Sequence, residues 1–559
     1  MAIAVGVLGY HARWICDDAL IFTRTVEQIL AGNGPVFSPG ERAEASTSTL
    51  WQWLLVLVGF VLRQDDTSAI AWVMGLLLTV AGFAIAVDAT RRAWLGRGPE
   101  RLMIPFGVLI PLALRPVWEY ATSGLETGLT TMWLASCWWW LVRLRAGGSR
   151  RGVLTAAAVM GLGPLVRPDL ALPAVVFMVA LWVLARPSLR RTLVAVAAAG
   201  ALPIAYQVFR MGYYGIVFPM PALTKEAGAS LWGRGFGYVT DFTGPYLLWL
   251  PLIGVVIGLG ASTRAMSGRR DEPVLVATPV IAGVLSFLYV VKVGGDYMHA
   301  RMLLPVLFLV LLPVLLVPLE RVYVPVTGVL VVWALVCGIT MRYSPPGGVG
   351  DRTDNERDYY VLFTRDSHPT SSSVFARTHS STMDVVRAEI AAGRRSLVYY
   401  GPDFENIVVP LRADIPGDAA VVGVYLGVAG EITPVDGRVV DFWGLANPVG
   451  ARFDLPTTKP GHSKPMGNAW ILAEYADPAA PIDPRGNYAR PGPVTAEQVA
   501  AARRALECGD LKELRDAARE PMSAGRFWKN LTGAWDRTHV AVPADPFEAE
   551  RRFCGSGPQ

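Results

Sequence analysis

The chain has 559 residues, of which 52% are hydrophobic and 17% are charged, and its formal net charge is +5. This composition excludes a disordered chain and is unusual for a soluble enzyme. The Lys and Arg residues lie in short loops, which is typical of membrane topology signals rather than of nucleic-acid binding. We therefore expect no nucleic-acid partner.

The apolar residues divide the chain into two parts. Nearly all long apolar runs fall between residues 46 and 341, whereas residues 342–559 have the composition of a globular protein. We predict a polytopic α-helical membrane domain over 1–341 and a soluble domain over 342–559. The second part is large enough to form its own core.

Eleven membrane helices are predicted in the first part, and one helix is shortened at the N-terminus. Their bounds are 1–12, 68–90, 101–118, 125–145, 152–167, 169–185, 191–211, 245–262, 274–293, 301–318 and 322–341. With this count, basic clusters at Arg91, Arg143, Arg186, Arg264 and Arg321 share one side, which the positive-inside rule makes the cytoplasm. The polar loops and the C-terminal domain then face the outside of the plasma membrane.

The external loop 13–67 begins with two adjacent acids, Asp17 and Asp18. They open an amphipathic segment that ends at Ala31, and the apolar stretch 49–62 is short for a span, so both are predicted as interfacial helices. The alternative is that 49–62 crosses the membrane, which would place the Arg91 cluster outside. A helix cap explains one acid but does not need two. Because carboxylates beside a membrane are costly to bury, we predict that Asp17 or Asp18 is catalytic.

Other polar residues interrupt the apolar segments on the same side. Asp296, His299 and Arg301 lie within six residues at a membrane boundary and predict a phosphate and hydroxyl clamp. The alternative is an ordinary turn with a snorkelling Arg301. In the loop 212–244, Tyr213 suits the interface and Lys225 is predicted to bind a lipid phosphate.

Further candidates for substrate binding lie in three loops. Glu44 follows the acid pair in loop 13–67, Glu126 ends a polar turn, and Arg167 and Asp169 form a corner around a proline. For Glu126 the alternative is a helix cap. For Arg167 and Asp169 the alternative is a corner in which the two side chains pair with each other.

The C-terminal part is predicted to be a mixed α/β or β-sandwich domain. After irregular residues 342–381, strand patterns occur at 396–400, 406–411, 420–428, 438–442 and 470–475, and helical patterns at 382–392 and 495–520. The domain either binds a polysaccharide or only covers the membrane site. Tyr425, Trp443 or Trp470 could stack on sugar rings, and core packing is the favoured alternative for each of them. If it is exported, Cys508 and Cys554 form a disulfide; two free thiols are the alternative.

The polar loops resemble those of GT-C glycosyltransferases, which are multispan enzymes that use polyprenyl-phosphate sugars. The resemblance rests on the Asp17-Asp18 pair and on the stretch 32–49. A finer resemblance is to a family of terminal arabinofuranosyltransferases of mycobacterial and corynebacterial cell walls. It is carried by residues 121–129, 165–171, 206–215, 294–301, 444–448 and 461–462.

The resemblance implies transfer of arabinofuranose from decaprenylphosphoryl-arabinose to the non-reducing ends of arabinan, in arabinogalactan and lipoarabinomannan. The implied β-(1→2) linkage forms with retention, so a carboxylate from Asp17 or Asp18 would act at the anomeric carbon. Arg301, His299 and Lys225 would contact the phosphate. Because some GT-C enzymes use a divalent cation, Asp17 and Asp18 are also candidate ligands for Mg, Mn or Ca. We expect no other cofactor and a monomer.

Two other functions are weighed against this one. A GT-C enzyme could transfer mannose or another sugar, since no residue by itself encodes the sugar. A non-enzymatic transporter of lipid-linked sugar would need polar groups near the membrane midplane and often inverted repeats. The sequence indicates neither, because its polar residues cluster on one face.

Overall fold

The computed structural model of this chain describes residues 1–63, 66–94, 102–145, 149–265, 271–456 and 459–555. Arg101, Arg269 and Arg270, which extend the predicted cytoplasmic clusters, lie outside these ranges. The described residues form mostly α-helices, with a small sheet in the C-terminal part.

The N-terminal part is built from helices that are mostly apolar. Their bounds are α1 (Ala2–His11), α2 (Asp17–Leu30), α3 (Thr49–Leu62), α4 (Thr67–Trp94), α5 (Leu109–Ala113), α6 (Arg115–Tyr120), α7 (Thr127–Leu144), α8 (Arg150–Gly161), α9 (Gly163–Val166), α10 (Ala171–Ala185), α11 (Leu189–Tyr213), α12 (Met220–Thr224), α13 (Trp232–Thr243), α14 (Trp249–Ala265), α15 (Glu272–Lys292), α16 (Leu304–Leu311) and α17 (Tyr323–Thr340).

Several of these helices are long and apolar enough to cross a membrane. Five candidate spans are found among the described residues: Thr67–Trp94, Pro168–Ala185, Leu189–Tyr213, Glu272–Lys292 and Tyr323–Thr340. The predicted helices at Asp17 and at residues 49–62 are present as α2 and α3, each 14 residues long. These features are those of a membrane protein.

Two predicted spans, 101–118 and 301–318, are wrong as continuous helices. Each contains short helical segments and one short strand, β1 (Met103–Pro105) or β2 (Leu316–Pro318). The two strands pair antiparallel, with Ile104 opposite Val317. Both segments hold several prolines, which lack an amide donor and interrupt a helix.

The C-terminal part combines strands with many short helices. Its elements are α18 (Glu356–Thr364), α19 (Ser372–Thr378), α20 (Ser380–Ala391), β3 (Ser396–Tyr400), β4 (Asn406–Pro410), β5 (Ala419–Gly423), α21 (Leu426–Ile432), β6 (Arg438–Asp441), α22 (Asn468–Tyr475), α23 (Ala496–Ala505), α24 (Gly509–Arg519), α25 (Ala524–Thr532), α26 (Ala534–His539) and α27 (Pro546–Cys554).

The sheet of this part is mixed, with strand order β4-β3-β5-β6. β3 pairs parallel with β5, and β5 pairs parallel with β6, whereas β4 runs antiparallel at the edge. Helices cover this single four-stranded sheet in the described part of the domain, so mixed α/β is the correct class rather than a β-sandwich. Cys508 and Cys554, the predicted pair, form a disulfide with an S–S distance of 2.09 Å.

The strand predicted at 470–475 is wrong, because these residues belong to α22. All eight residues of α22 are buried. A continuous apolar run without alternation suits a buried helix as well as a buried strand. The irregular region predicted at 342–381 likewise contains α18 and α19.

The two parts of the chain share packed residues. Tyr360 and Phe375 lie in the hydrophobic core that the N-terminal helices form. Hydrogen bonds also join the two parts. The Arg24 guanidinium of α2 donates to the carbonyl oxygens of Thr433 and Pro434, at 2.9 and 2.7 Å. The domain boundary after residue 341 stays a prediction, since the core continues across it.

Candidate active site

Helix α2 presents its two acids at its first turn. Cys16 precedes the helix in an extended conformation and makes no side-chain cap. The carboxylates of Asp17 and Asp18 therefore remain available at the positive end of the helix dipole, where negative charge is stabilised. Both side chains are half-buried and point to different neighbours.

Asp17 faces the C-terminal part of the chain. Its Oδ1 accepts a hydrogen bond from the backbone amide of Val428 in α21, at 2.8 Å. Gly427 permits this contact, because a Cβ there would lie 2.1 Å from the Asp17 carbonyl oxygen. Burial raises the pKa of Asp17 to about 7 despite the Val428 hydrogen bond. Asp17 can therefore take up or release a proton near neutral pH.

Asp18 lies among positive charges. Lys225 Nζ is 3.7 Å and Arg301 Nη1 is 3.5 Å from Asp18 Oδ2, and the Tyr297 hydroxyl donates to Oδ1 at 3.2 Å. Burial alone would raise the pKa of Asp18, but the charges of Lys225 and Arg301 bring it below its ordinary value. Asp18 is therefore an ionised carboxylate beside two cations, whereas Asp17 is close to half-protonated at neutral pH.

Arg301 is held in place by Asp296. Asp296 Oδ2 accepts from Arg301 Nη2 at 2.6 Å, and the Asp296 side chain is 4% exposed. The turn before Arg301 is tight: Gly295 has a positive φ, and a Cβ there would lie 2.3 Å from the Tyr238 ring. The Gly-Gly-Asp segment thus orients the guanidinium toward Asp18.

Two cavities meet at Asp18. The membrane-side cavity has a volume of about 160 Å³, and the domain-side cavity has about 420 Å³. Asp18, Lys225 and Leu445 line both of them, whereas Asp17 lines only the domain-side cavity. A group in either cavity can therefore reach the Asp18 carboxylate.

The membrane-side cavity brings together three predicted loops. Its lining includes Glu126, Arg167 and Asp169 next to Arg301. Arg167 makes two hydrogen bonds to Asp169, each 2.7 Å, and lies 3.9 Å from Glu126. The corner is thus self-paired, as the alternative predicted, and it also forms a wall of the cavity.

The domain-side cavity is rich in aromatic rings. Its aromatic lining consists of Tyr297, Tyr359, Tyr360, Phe404, Tyr425, Trp443, His462 and Tyr488. Aromatic faces next to polar groups are suited to sugar rings, which have an apolar face and a rim of hydroxyls. Tyr425 and Trp443 thus lie where the sequence predicted stacking, whereas Trp470 is 1% exposed in the core.

Glu356 is a third carboxylate at this site. It begins α18, lines the domain-side cavity, and its Oε2 has no hydrogen-bond partner among the described residues. Burial, together with the negative charges of Asp18 and Asp17, raises its pKa well above the ordinary value. The Tyr297 hydroxyl contacts both Glu356 and Asp18. These surroundings favour the protonated form of Glu356, and a protonated carboxyl can donate a hydrogen bond into the cavity.

His299 is not brought into the site. Its ring stacks on Tyr343 with a centroid distance of 3.9 Å, and Phe242 and Tyr246 flank it. Burial lowers the pKa of His299 to about 3, so the ring is neutral. Neither ring nitrogen has a hydrogen-bond partner in the described part of the chain. The predicted phosphate contact by His299 is therefore corrected to a packing position.

Glu44 and Tyr213 also lie away from both cavities. Glu44 binds Arg210 Nε at 2.6 Å and accepts from the Tyr206 hydroxyl at 2.8 Å. Tyr213 stacks on Phe209, with 5.0 Å between ring centroids. Arg42 Nε of loop 13–67 also donates to the Tyr213 carbonyl oxygen at 3.2 Å. Glu44 and Tyr213 therefore attach loop 13–67 to α11, which is a supporting position and not the predicted contact with substrate.

Sequence reasoning missed Glu356 and gave Tyr297 no role. Glu356 is 338 positions after Asp18, in a region predicted to be irregular. The only sequence signal for Glu356 was that it precedes a short apolar helical segment. Tyr297 lies within the predicted clamp, directly after Asp296, and this position was a signal that could have been used.

A divalent cation at Asp17 and Asp18 stays a prediction. No group of three or more His, Cys, Asp or Glu side chains arranged for a metal occurs among the described residues. One side of Asp18 faces Lys225 and Arg301, and Asp17 accepts a backbone amide. The positive charges beside Asp18 oppose a bound cation, and we derive no step through a metal.

Comparison with known proteins decides the family. Residues 413–549 match the AftB family C-terminal domain. A terminal β-(1→2)-arabinofuranosyltransferase of Corynebacterium glutamicum is 36% identical over 94% of this chain and 82% of its own length. One of Mycobacterium tuberculosis is 32% identical over 98% of this chain and 95% of its own length.

This chain belongs to the terminal β-(1→2)-arabinofuranosyltransferase family. The relatives are arabinofuranosyltransferases, so this chain is a glycosyltransferase. No solved structure matches the chain. The arabinofuranosyltransferase family resemblance in the polar loops is thereby confirmed.

Proposed function

We propose that this enzyme transfers arabinofuranose from decaprenylphosphoryl-arabinose to the non-reducing ends of cell-wall arabinan. The observation that carries the proposal is the position of Asp18 between two cavities, with Lys225 and Arg301 beside it. The names of the two relatives support arabinofuranose as the sugar and β-(1→2) as the linkage.

The donor binds in the membrane-side cavity. Lys225 and Arg301 are within 3.7 Å of Asp18 and supply two positive charges for a phosphate. Apolar residues of loop 13–67, namely Ile21, Phe22 and Ala45, line the same cavity and suit the prenyl chain near the membrane. The paired corner of Arg167 and Asp169, with Glu126, offers hydrogen bonds to the sugar hydroxyls.

The acceptor binds in the domain-side cavity. Its volume of about 420 Å³ and its aromatic lining suit a furanose oligosaccharide better than a lipid. Lys459 and Asp354, which pair at 2.6 Å, add a polar wall. The C-terminal part therefore binds the polysaccharide, rather than only covering the membrane site.

The reaction proceeds by two displacements, which give retention. Asp18 attacks the anomeric carbon, the bond from that carbon to the phosphate oxygen breaks, and decaprenyl phosphate leaves beside Lys225 and Arg301. The 2-hydroxyl of the acceptor then attacks the same carbon while its proton moves to Asp17. The ester to Asp18 breaks, and the β-(1→2) glycosidic bond forms.

The division of roles follows from the charges. A nucleophile should be ionised at working pH, and the neighbouring cations keep the pKa of Asp18 low. A general base works best when its pKa is near the operating pH, and burial places the pKa of Asp17 at about 7. Because the cations lie next to Asp18, charge on the leaving phosphate is also stabilised.

In the membrane, the enzyme has a GT-C arrangement with eleven crossings, two of them as broken helices. Both cavities and the C-terminal part face outward, away from the basic loops. This orientation agrees with an acceptor in the cell wall. It also leaves the enzyme dependent on a donor that is already activated and held in the membrane.

The test is a transfer assay with the purified enzyme. The donors are a prenyl phosphoryl-arabinofuranose and the matching phosphoryl-mannose, and the acceptor is a synthetic arabinan oligosaccharide. We expect a product extended by one β-(1→2)-linked arabinofuranose with the first donor only. Product from the mannose donor alone would replace the proposal by the mannosyltransferase alternative, and movement of intact donor across vesicles without transfer would support a transporter.

A further inference from the structure

A basic pocket lies far from the catalytic cavities. Arg150, Arg190 and Arg191 line a cavity of about 290 Å³ together with Ser188. The three arginines are exposed, and none of them forms an ion pair or a hydrogen bond within the ranges that the structure describes. Three uncompensated guanidinium groups around one cavity attract an anion.

Helix α10 separates this pocket from the catalytic site. Its 15 residues begin next to Asp169, which lines the membrane-side cavity, and end at Ala185, which lines the basic pocket. At 1.5 Å per residue, the helix is roughly 22 Å long. The basic pocket is therefore not part of the donor site at Lys225 and Arg301.

Two helices begin at the basic pocket. α8 starts at Arg150, and α11 starts at Leu189 after Ser188, whose side chain caps nothing. The N-terminus of each helix carries partial positive charge and amides that have no partner within the helix. These two helix ends add to the field of the three arginines and favour a phosphate group in particular.

An apolar groove continues from the pocket between α8, α10 and α11. Val153 and Pro187 line both the pocket and the groove, which has a volume of about 490 Å³. Apart from the hydroxyl of Thr192 and the indole nitrogen of Trp182, the side chains that line the groove are apolar. Val175 and Val196 on its walls are 62% and 56% exposed. The groove therefore suits a hydrocarbon chain that leads away from the charged end.

We propose that the pocket and groove together hold one anionic phospholipid. Its phosphate lies among Arg150, Arg190 and Arg191, and an acyl chain fills the groove. The three arginines favour an anionic headgroup over a zwitterionic one, because a zwitterionic headgroup would bring its own ammonium toward them. The apolar groove favours a lipid over a free anion, because a free anion would leave the apolar walls uncovered. The site is independent of the transfer reaction.

The test measures lipid binding to the full-length enzyme in detergent, by native mass spectrometry and by thermal shift. The probes are phosphatidylglycerol, phosphatidylcholine with the same chains, inorganic phosphate and a polyprenyl phosphate. We expect one phosphatidylglycerol to bind and to raise the melting temperature, and the other three probes not to bind at this pocket. Equal binding of phosphatidylcholine, or equal protection by inorganic phosphate, would overturn the proposal.

Two kinds of variant locate the site. The triple variant R150Q/R190Q/R191Q should bind phosphatidylglycerol about 100-fold more weakly, since each basic side chain near an anionic group contributes severalfold to binding. The charge-matched control R91Q/R151Q/R321Q, which changes exposed arginines outside the pocket, should bind within threefold of the unchanged protein.

The groove is tested separately by V196W, which fills it without changing a charge. Phosphatidylglycerol should bind about tenfold more weakly to this variant. If the triple variant does not fold, V196W and the single variant R190Q carry the test. Unchanged binding in V196W and R190Q, or loss of a polyprenyl phosphate rather than of phosphatidylglycerol, would contradict the assignment.

Discussion

At the scale of single residues, the two neighbouring acids have opposite surroundings. Asp18 faces Lys225 and Arg301, whereas Asp17 accepts a hydrogen bond from the Val428 amide. Neighbouring positions on a helix point about 100° apart, so each carboxylate meets a different part of the protein. This is how one short helix can supply a nucleophile and a base.

The pH dependence of the reaction tests the role of Asp17. Because burial raises the pKa of Asp17 to about 7 and the base must be ionised, kcat/KM of the unchanged enzyme should rise with pH and level above about 7. The variant D17N should lose about 10²- to 10⁴-fold in kcat and show no inflection near pH 7. The measurement is a pH profile from 5.5 to 8.5 for both enzymes. An inflection retained in D17N would show that another group titrates.

Glu356 should act as a neutral hydrogen-bond donor. Since its pKa is raised well above the ordinary value, the amide of E356Q resembles the protonated carboxyl, and kcat should stay within about threefold. E356A removes the contact with Tyr297 and should lose at least about tenfold. Steady-state kinetics of both variants check this. Equal and severe losses in E356Q and E356A would mean that Glu356 acts as an ionised group.

At the scale of elements, the site depends on the contact between α2 and α21. A Cβ on Gly427 would lie 2.1 Å from the Asp17 carbonyl oxygen and 2.7 Å from Leu20 Cβ. No side chain fits without moving the two helices apart. The glycine thus fixes how closely the C-terminal part approaches the acids.

The variant G427A should therefore separate α21 from α2. We expect at least a tenfold loss of kcat, because displacements of about 1 Å at a reacting centre are costly, and a loss of about 1–3 kcal/mol in stability. The control is G233A in α13, where a Cβ would meet nothing within 4 Å. G233A should keep full activity. Full activity in G427A, measured in the same assay, would show that the helices separate without consequence.

The mispredicted elements are apolar segments whose hydropathy does not determine their conformation. The sequence of α22 is mostly apolar, and periodicity cannot distinguish a buried helix from a buried strand. The segments at β1 and β2 are as hydrophobic as true spans, but their prolines and their pairing break the helix. Hydropathy therefore predicts where the apolar segments lie, but it does not predict whether each one is a continuous helix.

At the scale of the whole molecule, the sequence could predict which polar residues converge but not what completes the site. Asp18, Lys225 and Arg301 stand out because they interrupt apolar segments. Glu356 and the Val428 amide come from distant positions and have no local signal. His299 shares a short motif with Arg301, yet tertiary packing turns its ring toward Tyr343. Placement on a loop does not determine where a side chain points.

The two parts of the molecule are joined by a buried ionic network. Arg438 of β6 binds Glu41 of loop 13–67, and Arg519 of α24 lies 3.4 Å from the same carboxylate. The Arg438 and Glu41 side chains are 2% and 7% exposed. Removing Glu41 would leave the buried Arg438 guanidinium without its carboxylate, which costs much more than losing a surface pair. Arg519, in contrast, would keep Glu474 at 2.5 Å.

The variant E41A should lower the free energy of unfolding by about 3–5 kcal/mol and make the C-terminal part more sensitive to protease. The control is D418A, whose carboxylate is 65% exposed and 3.9 Å from Arg395, and which should cost less than about 1 kcal/mol. Urea unfolding in detergent measures both variants. Equal stability of E41A and D418A would mean that the network does not join the two parts.

In the proposed reaction, Asp18 acts on the anomeric carbon of the donor. The direct measurement is the transfer rate of D18N with a prenyl phosphoryl-arabinofuranose donor and an arabinan acceptor, next to the exposed control D351N. D18N should lose at least about 10³-fold in kcat, with the fold and donor binding kept, while D351N should be unchanged. A D18N enzyme that transfers arabinofuranose within about threefold of the unchanged rate would contradict the account.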